Sequence, residues 1–244
     1  MERGSEAVKR ELAPNGVLRA AINLGNPVLA QPGSDGEEPK GITADLAREL
    51  ARQLDLPVKF ITYDAAGKVV EANKFASWDV CFLAIDPARA TEIMFTTPYV
   101  IIEGTYLVRD GAPFRAVDEL DRPGVRIAVC KGAAYELYLT RTIKHAELVR
   151  SATSAAAMEQ FLADGLDAAA GVRQPLVKFA QAHAGLRVLD GRFMAIEQAM
   201  GTPVDRPAAG AFLRSFVEAM KASGFVAAAL ERSGQRDAAV APPA

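Results

Sequence analysis

The stretch DVCFLAIDPARATEIMFTTPY, residues 79–99, carries the most information about the fold of this 244-residue chain. Its first part is an apolar run without alternation, which is typical of a strand buried on both faces of a parallel sheet. Asp86 and Pro87 end the run, and Arg89 follows where a short helix is expected to begin. A helix N-terminus disfavours a cation by about 0.3–1 kcal/mol, so this arginine is either solvated or met by a negative group.

Strand-like and helix-like segments alternate along the chain, and the alternation runs twice, over about residues 16–103 and 108–192. Such alternation predicts open, mostly parallel sheets with helices on both faces. Two α/β units, each with its own sheet, explain the pattern better than one long sheet. Residues 207–234 predict two helices joined around Gly224, and the Ala- and Pro-rich residues 235–244 predict a disordered tail.

One predicted helix, which follows a Gly- and Pro-rich turn region, is clearly amphipathic. Leu46, Leu50 and Leu54 recur at every fourth position and place one apolar stripe along it. Thr43 precedes this pattern and is predicted to be the N-cap.

Composition argues against several classes of partner. The net charge of −2 gives no support to binding of nucleic acid or of anionic membranes. No apolar stretch approaches the roughly 20 residues that a membrane span needs. The charged N-terminal residues 1–16 lack the apolar core of a signal peptide. We therefore expect either a cytoplasmic protein or a periplasmic one whose leader has been removed.

Sequence motifs for catalysis and for cofactor binding are missing. The chain has two histidines, no Cys-rich cluster, no phosphate-binding loop, no G-x-G-x-x-G after a strand and no G-x-S-x-G elbow. We expect no metal, no cofactor and no catalytic residue, although a carboxylate acid or base needs no motif. Two α/β lobes without a catalytic signature favour a ligand-binding protein.

Three segments resemble the type 2 periplasmic solute-binding proteins, specifically the polar amino-acid receptors of ABC importers, known as bacterial extracellular solute-binding protein family 3. The first, GITADLARELARQLDLPVKFI, is similar to the family's G-F-D-V-D-L-A helix and the strand after it. The second, WDVCFLAIDPARATEIMFTTPY, is similar to D-V-…-T-P-E-R-…-F-S-x-P-Y, and the third, GLDAAAGVRQPL, to G-x-x-D-A-…-D. The resemblance covers about residues 16–234.

The resemblance implies an α/β, two-lobed type 2 periplasmic-binding-protein fold, in which each lobe is a mostly parallel sheet flanked by helices. Two crossing strands, near residues 104–109 and 194–200, would join the lobes. Residues 1–106 and 197–244 would form lobe 1, and residues 107–196 lobe 2. A ligand would be held between the lobes, which close by a hinge motion.

The resemblance gives Arg89 a role, because it matches the T-P-E-R arginine that binds the ligand carboxylate in the family. A guanidinium suits this role since it offers two parallel donors to one carboxylate. The resemblance also implies that Ala84 and Asp86, on the same segment, contact the ligand. This segment is about two residues shorter than the family pattern, and Asp86 is also expected to be the N-cap of the helix that carries Arg89.

Two other parts of lobe 1 supply candidate contacts. The loop NLGNPVLAQ places Asn23 and Asn26 where the family often has an aromatic residue, and their alternative role is ordinary loop capping. At the second crossing, Glu197 and Gln198 are candidates, and a carboxylate there would recognise a ligand amine.

Lobe 2 departs most from the family. The family's Gly-Thr turn becomes KGAAYE, in which Gly132 remains and the N–H groups of Ala133 and Ala134 are expected to point at an anion. Val172 stands where amino-acid receptors place an aspartate for the ligand ammonium. If the next residue, Arg173, faces the ligand, two arginines favour a dicarboxylate, but Arg173 is equally compatible with an exposed position.

The implied function is that of a monomeric, non-catalytic solute-binding protein. It would bind a small carboxylate-bearing polar ligand, an amino acid or a dicarboxylate, and present it to an ABC permease in the inner membrane. Two alternatives remain open. One is a cyclohexadienyl dehydratase-like enzyme on the same scaffold, with Glu197 or Asp86 as the general acid. The other is a cytoplasmic ligand sensor or scavenger.

Overall fold

The structure is a computed structural model that describes residues 5–34, 36–235 and 237–244. The chain divides into two compact units, each described by itself below. Unit 1 comprises Met1–Ile101 and Glu197–Ala244, and unit 2 comprises Ile102–Ile196. The first division falls after Ile101, a few residues before the predicted position after residue 106. Residues 1–4, 35 and 236, which the predicted lobe 1 and its tail include, lie outside the described residues.

Strands and helices alternate as the sequence predicts. The strands are β1 (Leu18–Asn23), β2 (Val58–Tyr63), β3 (Val80–Ala84), β4 (Ile93–Arg109), β5 (Arg126–Cys130), β6 (Glu147–Ser151), β7 (Ala168–Val172), β8 (Leu186–Val188), β9 (Met194–Pro203) and β10 (Ala239–Val240). The helices are α1 (Glu6–Leu12), α2 (Ile42–Leu54), α3 (Ala66–Asn73), α4 (Ala134–Thr142), α5 (Ser154–Ala163), α6 (Arg173–Ala182), α7 (Pro207–Ala222) and α8 (Phe225–Arg232). Within the described part of the chain, no helix combines the length and the apolar character that crossing a membrane requires. The chain passes between the units along β4 and β9.

In unit 1, β1 lies between β2 and β3, and the three strands are parallel. Ala20 pairs with Val80 and Ala21 with Cys81, so the carboxyl ends of β1 and β3 lie at the same edge of the sheet. On its other side, β3 pairs with the antiparallel strand β9. This edge is where open α/β sheets usually bind their ligands.

Helix α2 confirms the predicted leucine stripe but not the predicted cap. The fully buried members of the stripe are Leu46, Leu50 and Leu54. The N-cap is Gly41, which has a φ of 101° and whose added Cβ would lie 2.5 Å from the carbonyl oxygen of Leu29. Thr43 lies inside the helix, and its hydroxyl donates to the same Leu29 oxygen at 3.2 Å. The Leu29 backbone approaches so closely that only glycine fits at the N-cap position, and this explains why Gly41 is the N-cap.

A buried carboxylate, Asp79, ties three parts of unit 1 together. It is 0% exposed and accepts hydrogen bonds from Arg19 through the backbone N–H (3.0 Å), Nε (2.9 Å) and Nη2 (2.8 Å). Arg206, the N-cap of α7, donates Nη1 to the same carboxylate at 2.8 Å and also to the carbonyl of Glu11 in α1 at 2.7 Å. The start of β3 is thus joined to β1, α1 and α7.

The C-terminal residues 237–244 do not form the predicted disordered tail. Strand β10 pairs antiparallel with β4, Ala239 opposite Ile101 and Val240 opposite Val100. Lys221 on α7 donates from Nζ to the carbonyl of Pro98 at 3.2 Å and to that of Pro242, in the tail, at 2.8 Å. The composition-based prediction was wrong because backbone pairing, which needs no particular side chains, holds this segment.

In unit 2, β5 lies between β6 and β7, and the three strands are parallel. The second part of β4 pairs antiparallel with β7, and β8 pairs antiparallel with β4. A compact apolar cluster fills the space between this sheet and helices α5 and α6. Its large buried members are Leu107, Phe161, Leu166 and Leu176.

Candidate functional site

Arg89 lies in a turn rather than at the start of a helix. Residues 87–92 are turn residues that connect β3 to β4. The Asp86 carboxylate accepts the N–H of Ala88 at 2.9 Å, and the Asp86 carbonyl accepts the N–H groups of Arg89 (3.0 Å) and Ala90 (2.9 Å). Asp86 therefore organises the turn, as its predicted capping role requires, although no helix follows. The predicted helix was wrong, and with it the helix-dipole argument about Arg89.

The Arg89 side chain is buried, which excludes the solvated alternative. It is 3% exposed, and its Nη1 donates to the carbonyl oxygen of Ala84, the last residue of β3, at 2.8 Å. Burial lowers the pKa of Arg89 to about 10, while the nearby charge of Asp86 acts in the opposite direction. The guanidinium is thus still charged at neutral pH, and keeping that charge away from water costs free energy that an anion can offset.

Strand β9 brings Gln198 to the same place. Ala84 and Gln198 are directly opposed in the antiparallel β3–β9 ladder, and the N–H of Ile85 donates to the carbonyl of Glu197 at 2.9 Å. Neighbouring residues of a strand point to opposite faces. Gln198 is 5% exposed, whereas Glu197 is exposed to solvent. The two predicted residues therefore have different surroundings, and only Gln198 shares a face with Ala84.

The two candidate asparagines lie at the same edge of the unit 1 sheet, Asn23 as the last residue of β1 and Asn26 in the loop that follows. The Asn23 side-chain oxygen accepts the N–H of Gly25 at 3.0 Å, which is the predicted loop-capping role. The Asn26 side-chain oxygen is buried and has no hydrogen-bond partner among the residues that the structure describes. An unsatisfied buried acceptor is unusual in a folded protein, so Asn26 is the more informative of the two.

In unit 2, two N–H groups of the turn after β5 donate hydrogen bonds to nearby atoms of the same chain segment. The Gly132 N–H donates to Oε2 of Glu136 at 3.0 Å, and the Ala133 N–H donates to the carbonyl of Cys130 at 3.1 Å. Ala134 is the first residue of α4. The prediction that the Ala133 N–H points at an anion therefore does not match this geometry, because the tight turn directs it back to the chain.

Glu136 is a buried residue that the sequence analysis missed. It is 4% exposed, and its Oε1 accepts hydrogen bonds from Thr140 Oγ1 at 2.9 Å and from Arg150 Nε at 2.8 Å. Its position supplied a signal, because a glutamate at the third position of a helix commonly reaches back to the N–H groups before the helix. Glu136 thus fixes the turn at Gly132.

Arg173 is engaged within unit 2. Its Nε donates to Glu103 at 2.8 Å, Nη1 donates to the carbonyl of Leu189 at 3.3 Å, and Nη2 donates to the carbonyl of Gly191. Arg192 pairs with the other oxygen of Glu103 at 3.1 Å. The hydrogen bond from Arg173 is the main cause that lowers the pKa of the Glu103 carboxyl. Because these contacts engage the Arg173 side chain, Arg173 gives no structural support to the prediction that the ligand is a dicarboxylate.

The structure thus groups the candidates by unit. Unit 1 brings Ala84, Asp86, Arg89 and Gln198 together, with Asn23 at the end of β1 and Asn26 in the loop after it. Unit 2 carries Gly132, Ala133, Ala134 and Arg173. Their ligand-binding roles remain predictions.

A protein-family model decides the identification. The model of the bacterial extracellular solute-binding proteins, family 3, matches residues 18–235. The chain belongs to this family. The predicted resemblance, which covered residues 16–234, is confirmed. No curated protein matches the sequence.

Solved structures support the fold of this family 3 solute-binding protein. A mutant of ArgBP from T. maritima is 19% identical with a TM-score of 0.78, covering 93% of this chain and 99% of that chain. An amino acid ABC transporter substrate-binding protein from Streptococcus pneumoniae bound to L-arginine is 18% identical with a TM-score of 0.78, covering 97% and 100%. The ancestral amino acid-binding protein AncCDT-1, a precursor of cyclohexadienyl dehydratase, is 21% identical with a TM-score of 0.77, covering 93% and 99%. The fold prediction is confirmed.

Proposed function

We propose that this chain is a monomeric, non-catalytic solute-binding protein that binds a small carboxylate-bearing polar molecule through Arg89. It presents the loaded form to an ABC-type permease for import. The family supports the general role, and the L-arginine-bound neighbour supports a ligand with a carboxylate.

The observation that carries the proposal is the buried guanidinium of Arg89. The side chain is held at the carboxyl end of β3 by Ala84, in a turn that Asp86 organises. A ligand carboxylate that meets Arg89 forms charge-assisted hydrogen bonds and offsets the cost of burying the cation. The side chain is already fixed before the ligand arrives, so little conformational entropy is lost on binding.

The test combines a ligand screen with two substitutions. Thermal-shift screening with the twenty L-amino acids and with dicarboxylates such as succinate and glutarate is expected to identify a stabilising ligand, whose affinity is then measured by calorimetry. Arg89→Met is expected to weaken binding by about 2–5 kcal/mol, or roughly 30-fold to several-thousandfold. Arg89→Lys keeps the charge but loses the planar fork, so an intermediate loss is expected.

Arg52→Met is the matched control, because the Arg52 side chain is 72% exposed on α2 and pairs with Glu49 at 2.7 Å. It is expected to bind the ligand as wild type does. If Arg89→Met also binds as wild type does, or if no compound of the panel binds, the proposal fails.

The second candidate function is a dehydratase on the same fold, which the likeness to AncCDT-1 favours. Asp86 or Glu197 would then act as the general acid. Asp86 is 3% exposed and accepts the N–H of Ala88, whereas Glu197 is exposed. Turnover of prephenate or arogenate by the purified protein would support the enzyme. Binding of an amino acid without turnover of either compound supports the solute-binding protein.

A further inference from the structure

The C-terminal residues 238–242 lie along β4 at the point where β4 leaves unit 1. Ala239 of β10 pairs with Ile101, the last residue of unit 1 before the chain enters unit 2. The N–H of Ala241 donates to the carbonyl of Tyr99 at 3.1 Å, and Ala241 is only 3% exposed. Residues 238–242 are therefore docked both by main-chain pairing and by burial, and we call them the strap.

Lys221 of α7 fastens the strap to β4. Its side chain is 4% exposed, which is rare for a lysine. Nζ donates to the carbonyl of Pro98 on β4 at 3.2 Å and to that of Pro242 on the strap at 2.8 Å. Nζ also pairs with Glu218 at 2.7 Å, so each of the three N–H bonds of the ammonium group has a partner. Because a buried cation needs all of these partners, Lys221 favours the docked position of the strap.

Pairing along β4 is interrupted where the chain enters unit 2. The ladder with β10 ends at Ile101, and the ladder with β7 begins at Gly104, opposite Val172. Within the described part of the chain, neither ladder includes Ile102 or Glu103. Main-chain pairing resists local distortion, so a strand bends most readily where a ladder is missing. The strap thus extends the paired part of β4 up to the residue at which unit 1 ends.

We propose that the strap is a conformational device, which stiffens β4 up to Ile101 and confines bending of this connection to Ile102 and Glu103. Releasing the strap leaves residues 99–101 without their partners on this edge, so bending spreads over residues 99–103. A connection that bends at more residues gives the ligand-free protein more conformations, and a ligand that closes the two units must overcome this entropy. Only that effect on ligand binding rests on the proposed function; the effect on bending is measured without ligand, so either one can fail alone.

The test measures the spread of distances between labels on the two units by double electron–electron resonance, in the full-length protein without ligand. Nitroxide labels are placed at Arg52→Cys on α2 of unit 1 and at Lys178→Cys on α6 of unit 2, because both positions are exposed. The native cysteines, Cys81 and Cys130, are buried, so the labels react with the introduced thiols.

Three variants are compared with wild type in this labelled protein. Ala241→Pro removes the N–H that donates to Tyr99, and Lys221→Met removes the ammonium group but keeps an unbranched side chain. Val240→Pro is the matched control. The N–H groups of successive strand residues point in opposite directions, so that of Val240 points away from β4 and its loss breaks no pairing with β4.

We expect Ala241→Pro and Lys221→Met each to widen the distribution of distances by up to about 1.6-fold. Mean-square bending adds over the residues that flex, and their number rises from the two residues 102–103 to the five residues 99–103. Val240→Pro is expected to give the wild-type width. A wild-type width in Ala241→Pro, or in Lys221→Met where Ala241→Pro does not fold, would overturn the proposal, as would a distribution for Val240→Pro as wide as that for Ala241→Pro.

Discussion

Replacing Asp79 with alanine is expected to be the most damaging single change in unit 1 outside the candidate site. The carboxylate is fully buried and accepts four hydrogen bonds, three from Arg19 and one from Arg206. Removing one partner of a buried ion pair typically costs about 3–5 kcal/mol, because the remaining charge is left without compensation. The arginine side chains are 23% and 14% exposed and regain some water, so the lower end, about 3 kcal/mol, is expected.

For a chain of this length, about 3 kcal/mol corresponds to a fall in melting temperature of roughly 6–12 °C. Differential scanning calorimetry measures this fall, and Asp64→Ala is the matched control. Asp64 pairs with Lys68 at the surface, where its side chain is 58% exposed, so the control is expected to shift stability by less than about 0.5 kcal/mol. If Asp79→Ala melts within about 2 °C of Asp64→Ala, the reasoning about buried charge in unit 1 is refuted.

Two further predictions concern other parts of the chain. Glu103→Gln is expected to lower the melting temperature at pH 7, because the hydrogen bond from Arg173 holds the pKa of the Glu103 carboxyl below its ordinary value of 4.5. A carboxyl with a lowered pKa stabilises the fold fully above its ordinary value, and this stabilisation is lost as the pH falls through the lowered pKa. The difference in melting temperature between wild type and Glu103→Gln should therefore shrink as the pH falls below 4.5, and a difference that stays constant would contradict this cause. Deleting residues 237–244 is expected to speed hydrogen exchange at Val100 and Ile101, measured by mass spectrometry, since their pairing with β10 is lost. Unchanged exchange at these two residues would show that the segment does not dock in solution.

Features set by local sequence could be predicted well. The leucine stripe of α2 follows from a repeat within thirteen residues, and all three leucines are buried as expected. The break between α7 and α8 was predicted from Gly224, which adopts a φ of 77° at the N-cap of α8. Burial of an apolar stripe and left-handed backbone both depend on nearby residues alone.

Features set by distant contacts could not be predicted. Arg173 and Glu103 are 70 residues apart in sequence, and only the pairing of β4 with β7 brings them together. The tail at residues 237–244 has an unstructured composition, but an open stretch of β4 pairs with it. Thr43 follows the sequence pattern of an N-cap, yet its hydroxyl donates a hydrogen bond to the backbone carbonyl of Leu29.

In the candidate site, too, the features set by local sequence could be predicted and those set by distant contacts could not. The family motif identified Arg89, but not that its side chain is 3% exposed in a turn rather than solvated at a helix start. Gln198 and Glu197 were equal candidates in the sequence, since nothing in the residues before them fixed which face each would occupy. The register of β9 against β3 decides between them, and this register is a long-range property.

The most direct test of the central claim is a crystal structure of the protein with the tightest-binding compound of the screen. The account predicts that both oxygens of the ligand carboxylate accept hydrogen bonds from the Arg89 guanidinium, at about 2.7–2.9 Å, as in charge-assisted pairs. A ligand whose carboxylate is held by other groups, with Arg89 still bound only to protein atoms, would contradict it.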